Sequence, residues 1–223
     1  ERSNAELKKF AYVASHDLQE PLNQVANYVQ LLEMRYGEEL DLDAKDFIGF
    51  AVEGVNQMQT LIDDVLAYSK VDILGIEWGL TDVNTALNRS LSHLRSRIAE
   101  TNAIVTFDPM PTIVADSTQL MQLFQNLIAN AIKFRKQDTP PQIHLSVNRQ
   151  EDDWLFSIAD NGIGIDPKFF DRIFVIFQRL HTRDEYQGSG MGLTICKKIV
   201  ECHRGKIWVT SEPGVGTTFS FTI

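Results

Sequence analysis

The sequence predicts an α + α/β fold: an antiparallel helical hairpin that forms a dimeric four-helix bundle, followed by an α/β sandwich domain with a mixed sheet. Three observations predict it. Residues 1–75 contain little Gly or Pro, and their apolar positions recur at three- and four-residue steps, as on one face of a helix. Residues 72–82, "VDILGIEWGLT", mix Gly with apolar residues and read as a linker. From there to the C-terminus, helical and strand-like patterning alternate. The expected domains are 1–75 and 76–223.

The first helix carries Leu7, Phe10, Ala14, Leu18, Val25, Val29 and Leu32 on its apolar face. "RYGEELDLD", residues 35–43, interrupts the pattern with Gly37 and an acidic cluster, which marks the turn of the hairpin. In the second helix Ile48, Val55 and Ile62 form one seven-residue series. Ala51, Met58 and Val65 form another, offset by three, to give a heptad seam. Two such helices carry more apolar surface than one hairpin can bury, so two hairpins are expected to pair. After the linker, 83–100 reads as a helix, 103–115 as short strands around "DPMP", and 117–134 as a helix. "QIHLSV" (142–147) and "WLFSIAD" (154–160) read as strands joined by a turn at 149–153. A helix over 190–203, "GMGLTICKKIVECH", and strands "KIWVTS" (206–211) and "TTFSFTI" (217–223) complete the domain.

Composition narrows the function classes. The net charge of −9 over 223 residues argues against nucleic acid as the main partner, because a phosphate backbone calls for clustered Lys and Arg. It leaves room for a small anion held by local donors. No apolar run approaches the roughly 20 residues that span a bilayer, and "ERSNAELKKF" lacks the features of a signal peptide. Cys196 and Cys202 are not spaced as a metal or redox pair; they read as reduced thiols, which fits a cytoplasmic location. Residue 1 opens within a helical pattern and residue 223 ends a strand-like run, so the chain reads as part of a longer one.

Chemistry-bearing residues gather in a few clusters. In "QNLIANAIKF" (125–134), Asn126, Asn130 and Lys133 project from one helix face. Amide oxygens and an ammonium there suit a metal–polyphosphate complex, since Asn ligates Mg²⁺ without adding negative charge. A plain solvated polar face is the alternative. In "DNGIGID" (160–166), Gly162 and Gly164 allow a tight turn close to a ligand, and Asp160 can accept from the exocyclic amine of adenine, where guanine has a carbonyl. An ordinary Asp-Asn-Gly turn is the alternative. In "GSGMGL" (188–193), Gly188, Gly190 and Gly192 leave backbone N–H groups to meet phosphates at a helix N-terminus. "EPGVGTTF" (212–219) is a glycine-bearing hairpin. In "SHDLQEPL" (15–22), His16 is followed by Asp17 and then Pro21; a surface His beside a surface Asp is the alternative.

In this order and at these intervals the clusters resemble the motifs of the sensor histidine kinases. "NLIANAIKF" is similar to the family's N box, "DNGIGI" to its G1 box, "FVIF" (174–177) to its F box and "GSGMGL" to its G2 box. "GVGTTFSFTI" resembles the last box and the opening stretch the H box. "HDLQEPL" and "FQRLHTRDEY" look most like the kinase modules of cyanobacterial phytochromes. The resemblance covers essentially the whole chain. It implies a dimerisation and histidine-phosphotransfer domain followed by an ATP-binding domain of the Bergerat type.

By this resemblance His16 is the phospho-acceptor, and Asp17 accepts the N–H of the ring's other nitrogen, fixing the tautomer. ATP and Mg²⁺ are the implied cofactors, with Asn126 and Asn130 on the metal. The implied nucleotide site comprises Asn126, Asn130, Lys133, Asp160, Gly162, Gly164, Arg179, Gly188, Gly190, Gly192 and Leu193. "QRLHTRDEYQ" (178–187) reads as a lid in which Arg179 matches a phosphate-contacting position, with Phe174 and Phe177 packing its edge; plain core is the alternative for both rings. Pro21 removes an N–H donor and disturbs the Asp17 carbonyl, and is expected to bend the helix around His16. At Glu20 many family members carry the Thr or Asn that positions water for dephosphorylation, which implies little phosphatase activity. His93 and His144 show no partner signal, and His203-Arg204 reads as a loop variation without chemical meaning. The implied partners are a second copy through the hairpin, a response regulator receiver domain and an upstream sensor domain, with no nucleic acid and no membrane in this stretch. The implied activity is ATP-dependent autophosphorylation of a histidine and transfer to an aspartate. A catalytically silent nucleotide-binding dimerisation scaffold is the alternative.

Overall fold

The computed structural model describes residues 2–73, 76–151, 153–180, 182, 185, 186 and 188–223, with side chains from 18 to 71 in the helical part. The chain divides into two compact units, Glu1–Ile73 and Leu74–Ile223.

The first unit is a helical hairpin of α1 (Arg2–Tyr36) and α2 (Leu42–Ile73). At its turn the Gly37 N–H donates to the Glu33 carbonyl at 2.9 Å, and a Cβ on Gly37 would collide with that same carbonyl. The acidic cluster serves the next helix: Asp41 Oδ1 accepts the Ala44 N–H at 2.8 Å. Pro21 lies inside α1, which continues on both sides of it. Two cross-helix bonds pin the pair, from Gln19 Nε2 to Asp63 Oδ1 (2.7 Å) and from Gln59 Nε2 to Asn23 Oδ1 (2.6 Å). The Ile48–Val55–Ile62 series is buried or half-buried, as on the side packed against α1. Ala51 and Met58 are exposed, in one stripe with Phe47 and Phe50. No described helix is long and apolar enough to cross a membrane.

The second unit packs helices on a five-stranded mixed sheet. Its strands are β2 (Ile104–Phe107), β4 (Gln142–Gln150), β5 (Asp153–Asp160), β6 (Ile207–Glu212) and β7 (Gly216–Thr222), in the order β2-β4-β5-β7-β6. β2 runs parallel to β4, and the other neighbours are antiparallel. A separate ribbon pairs β1 (Gly79–Asp82) with β3 (Thr112–Ala115). The helices are α3 (Val83–His93), α4 (Arg95–Thr101), α5 (Ser117–Lys133) and α6 (Gly192–Cys202). Leu120, Leu123, Phe124, Leu127 and Ile128 of α5 are buried. Phe124 meets Phe156 edge-on at 6.2 Å, and Phe156 stacks on Phe221 at 5.1 Å. Complete burial pushes the Cys196 thiol up to about 12, so it acts as a small apolar side chain.

The structure corrects several expectations. Residues 72–82 are not a linker throughout: α2 runs to Ile73, and Gly79–Asp82 is a strand because Thr81 turns inward and donates to the Ala115 carbonyl at 2.8 Å. Residues 83–100 form two helices, broken at Leu94, whose N–H is shared between the Ser90 and Leu91 carbonyls while its side chain is buried. The two strands around "DPMP" belong to different sheets. The turn at 149–153 is shorter than expected, with Glu151 in the left-handed region (φ 44°). The helix expected from 190 starts at Gly192, because Gly190 holds φ 82°. His93 and His144 have partners, Gln125 Oε1 at 3.3 Å and Thr106 Oγ1 at 2.9 Å. His203 is no loop variation: it is buried, with both ring nitrogens hydrogen-bonded.

Candidate nucleotide site

The site grows from the C-terminal end of α5. Asp116 caps the other end of this helix by accepting the Thr118 and Gln119 N–H groups at 2.9 and 3.0 Å. Leu123, Leu127 and Ala131 face the core, and Asn126, Asn130 and Lys133 fall on the half-buried flank beside that stripe. Asn126 Nδ2 donates to the Gly192 carbonyl at 3.4 Å, which ties the N box to the first turn of α6. Lys133 Nζ lies 4.6 Å over the Phe134 ring. Burial, followed by the Arg179 and Arg97 guanidinium groups, draws the Lys133 ammonium down to about 8.

Three stretches distant in sequence converge on this end of α5. The Ile163 N–H donates to the Phe134 carbonyl at 3.0 Å, and a Cβ on Gly162 would stand 2.5 Å from that carbonyl. A Cβ on Gly188 would stand 2.9 Å from Lys133 Nζ. On Gly190 it would lie 2.9 Å from the Gln178 carbonyl, where the lid begins. Close approach to backbone therefore excludes a side chain at Gly162 and Gly190, while Gly188 (φ 142°) and Gly190 (φ 82°) also hold backbone that favours glycine. Gly164 (φ 73°) packs on the Glu212 carbonyl, and the Gly214 N–H donates to the Ile163 carbonyl at 2.7 Å, so the final hairpin braces the turn.

Asp160 ends β5. Its Oδ1 accepts the Gly162 N–H at 2.8 Å and the Thr217 N–H at 3.2 Å. Burial raises the carboxyl above its ordinary value, and the two N–H groups and Lys136 oppose that rise. Asn161 turns away, its amide holding Gln142 N and the Pro140 carbonyl.

Arg179 donates to the carbonyls of Thr182 and Tyr186, and the Tyr186 ring lies 4.9 Å from Phe134. Gly192 and Leu193 open α6, half-buried. Phe174 packs edge-on against the buried Phe219 at 6.4 Å, a contact that plain core packing explains as well as a lid anchor does. Phe177 is exposed and its backbone holds φ 60°, and no described ring packs on it. His16 and Asp17 lie on α1, but their side chains fall outside the described residues, as do parts of the lid at 181, 183, 184 and 187.

Sequence reasoning missed Thr217, Phe134 and Tyr186 as parts of the site. Phe134 was legible as the residue directly after Lys133. Thr217 was not, since only the β5–β7 register sets it opposite Asp160. Among the described residues no group of His, Cys, Asp and Glu forms a metal cluster.

Residues 6–73 match the His Kinase A (phospho-acceptor) domain. Residues 115–223 match the histidine kinase-, DNA gyrase B-, and HSP90-like ATPase. The chain is 74% identical over its full 223 residues to cyanobacterial phytochrome A of Nostoc sp. strain PCC 7120, covering 29% of that protein. It is 64% identical over the same length to phytochrome-like protein Cph1 of Synechocystis sp., covering 30%. The chain thus spans less than a third of these relatives. Among solved structures, full-length ShkA in complex with AMPPNP matches with a TM-score of 0.74 and 26% identity, over 96% of this chain and 45% of that one. The helical hairpin, the Bergerat-type ATP site and these likenesses agree, and the chain belongs to the sensor histidine kinases, with kinase modules of cyanobacterial phytochromes among its relatives.

Proposed function

We propose that this module is an ATP-dependent protein histidine kinase that phosphorylates His16 and passes the phosphoryl group to an aspartate of a response regulator. The observation that carries this reading is the convergence of Lys133, the Asp160–Gly162 turn and the Gly188 loop on one end of α5. The ShkA match, a structure with an ATP analogue, supports it. Residues 1–75 serve dimerisation and phosphotransfer, and residues 76–223 bind ATP.

Asp160 accepts from the adenine amine, which selects adenine over guanine. Lys133, Arg179 and the N–H groups of the Gly188–Gly192 loop meet the phosphates. Asn126 and Asn130 are half-buried, and their amide oxygens suit Mg²⁺, a hard cation that takes oxygen ligands. When bound it would neutralise phosphate charge. The lone pair of one His16 ring nitrogen forms the N–P bond as the P–O bond to ADP breaks. The other ring nitrogen keeps its proton, and Asp17 stabilises the resulting positive charge. Two hairpins pair through the Phe47–Phe50–Met58 stripe, leaving His16 to both ATP and receiver.

The test is incubation with Mg²⁺ and γ-labelled ATP. The expected outcome is label that survives base but not acid, and that His16→Gln abolishes while leaving ATP affinity unchanged. ATP binding without label supports the scaffold reading instead. Acid-labile incorporation in the Gln variant removes His16 from the mechanism.

A further inference from the structure

The chain enters its second unit through Ile76, Glu77 and Trp78, and two contacts hold this entry segment. The Glu77 N–H donates to Asp116 Oδ2 at 3.1 Å. The Trp78 ring meets the His203 ring edge-on at 5.2 Å. Both lead to one knot. The Asp116 N–H donates to His203 Nε2 at 3.1 Å, while His203 Nδ1 lies 2.8 Å from the Ile199 carbonyl. A carbonyl only accepts and an N–H only donates, so His203 is neutral with its proton on Nδ1. The other oxygen of Asp116 caps α5, the helix whose far end bears Asn126, Asn130 and Lys133. Asp116 thus ties the entry segment, the start of α5 and the end of α6 together through one side chain and one N–H.

We propose that His203 is a positioning residue that fastens the entry segment Glu77–Trp78 to the N-terminus of α5, so that the first residues of the ATP-binding unit are held against the helix that bears the nucleotide site. The inference rests on the kinase reading above. It assigns His203 an effect on phosphoryl transfer without contact with nucleotide. Loosening the knot leaves the nucleotide pocket at the other end of α5 intact and frees the entry segment from the start of that helix.

The test uses the whole 223-residue chain. His203→Asn keeps a donor near the Ile199 carbonyl but cannot reach the Asp116 N–H, whereas His203→Gln keeps an acceptor that can. Losing that bond is expected to speed hydrogen exchange of the Glu77 and Asp116 amides by roughly tenfold in the Asn variant and little in the Gln variant. In the same proteins ATP affinity stays within about threefold, while His16 labelling slows roughly tenfold with Asn and recovers with Gln. Trp78→Ala, at a half-exposed position, is expected to slow labelling in the same way and carries the test if the Asn variant does not fold. Fast exchange of both amides in the unaltered chain overturns the proposal. So does an Asn variant whose amides open but which labels at the original rate, or one whose ATP affinity falls as far as its rate. Absence of labelling in the unaltered chain overturns the kinase reading instead, and the exchange contrast between Asn and Gln then decides the fastening by itself.

Discussion

In the helical hairpin Phe47 and Phe50 are each 69% exposed and Met34 84%, whereas in the ATP-binding unit Phe124, Phe156 and Phe221 are each exposed by 1% or less. The same kinds of side chain meet opposite fates. Two helices side by side leave each with an outward apolar stripe, so the hairpin supplies half of a core. A five-stranded sheet covered by α5 and α6 closes a core of its own. On the proposed reading, the hairpin is completed by a second copy, whereas the second unit has a closed core of its own.

The sharpest way to break that contrast is Phe50→Glu. An aromatic buried between hairpins contributes roughly 1.5–3 kcal/mol, counted twice across a symmetric interface. Dimer affinity should therefore fall on the order of a hundredfold to ten-thousandfold, read by sedimentation. Residues 76–223 alone should stay folded and monomeric; a piece starting at 81 would lose Trp78 and half of β1. An unchanged dimer in the Glu variant would place the interface elsewhere.

Next in size is Asp160→Asn. The Gly162 and Thr217 N–H groups can still donate to the amide oxygen, so the turn should hold. The lost charge-assisted bond to adenine should cost about 1.5–3 kcal/mol, or roughly 10- to 150-fold in ATP affinity by calorimetry. Unchanged affinity would refute the adenine assignment.

Lys133 sharpens the comparison through pH. Its ammonium is held down to about 8, so it is charged at pH 7 and mostly neutral at pH 9. Polyphosphate favours the charged form, so affinity should weaken roughly tenfold between these values, with proton uptake on binding at the higher pH. Lys133→Arg should flatten the profile, since guanidinium stays charged throughout.

The smallest expected effect concerns the fold alone. Arg204 holds φ 65° just past α6, between the Arg204 N–H bond to Glu201 and the Gly205 N–H bond to Val200. Arg204→Gly should relieve the left-handed strain and stabilise the second unit by about 0.5–1 kcal/mol, seen as a melting rise of a few degrees. The hairpin transition should not move.

What could be read in advance was local. The heptad series of α2 and the glycine spacing around 162 and 190 are properties of neighbours in the chain, because helix period and turns are set within a few residues. The linker was misread for the same reason: Gly79–Asp82 is a strand only by virtue of Thr112–Ala115, which lies beyond any local window.

The sequence by itself determined the helix faces, the order of the motifs and the family, since each depends on residue type and spacing along the chain. The tertiary structure alone decided which strands join which sheet, that Thr217 stands beside Asp160, that Phe177 is exposed, and that His203 meets an N–H 87 residues away. These are long-range pairings, and they are chosen by which arrangement buries the apolar faces while leaving nearly all buried polar groups hydrogen-bonded.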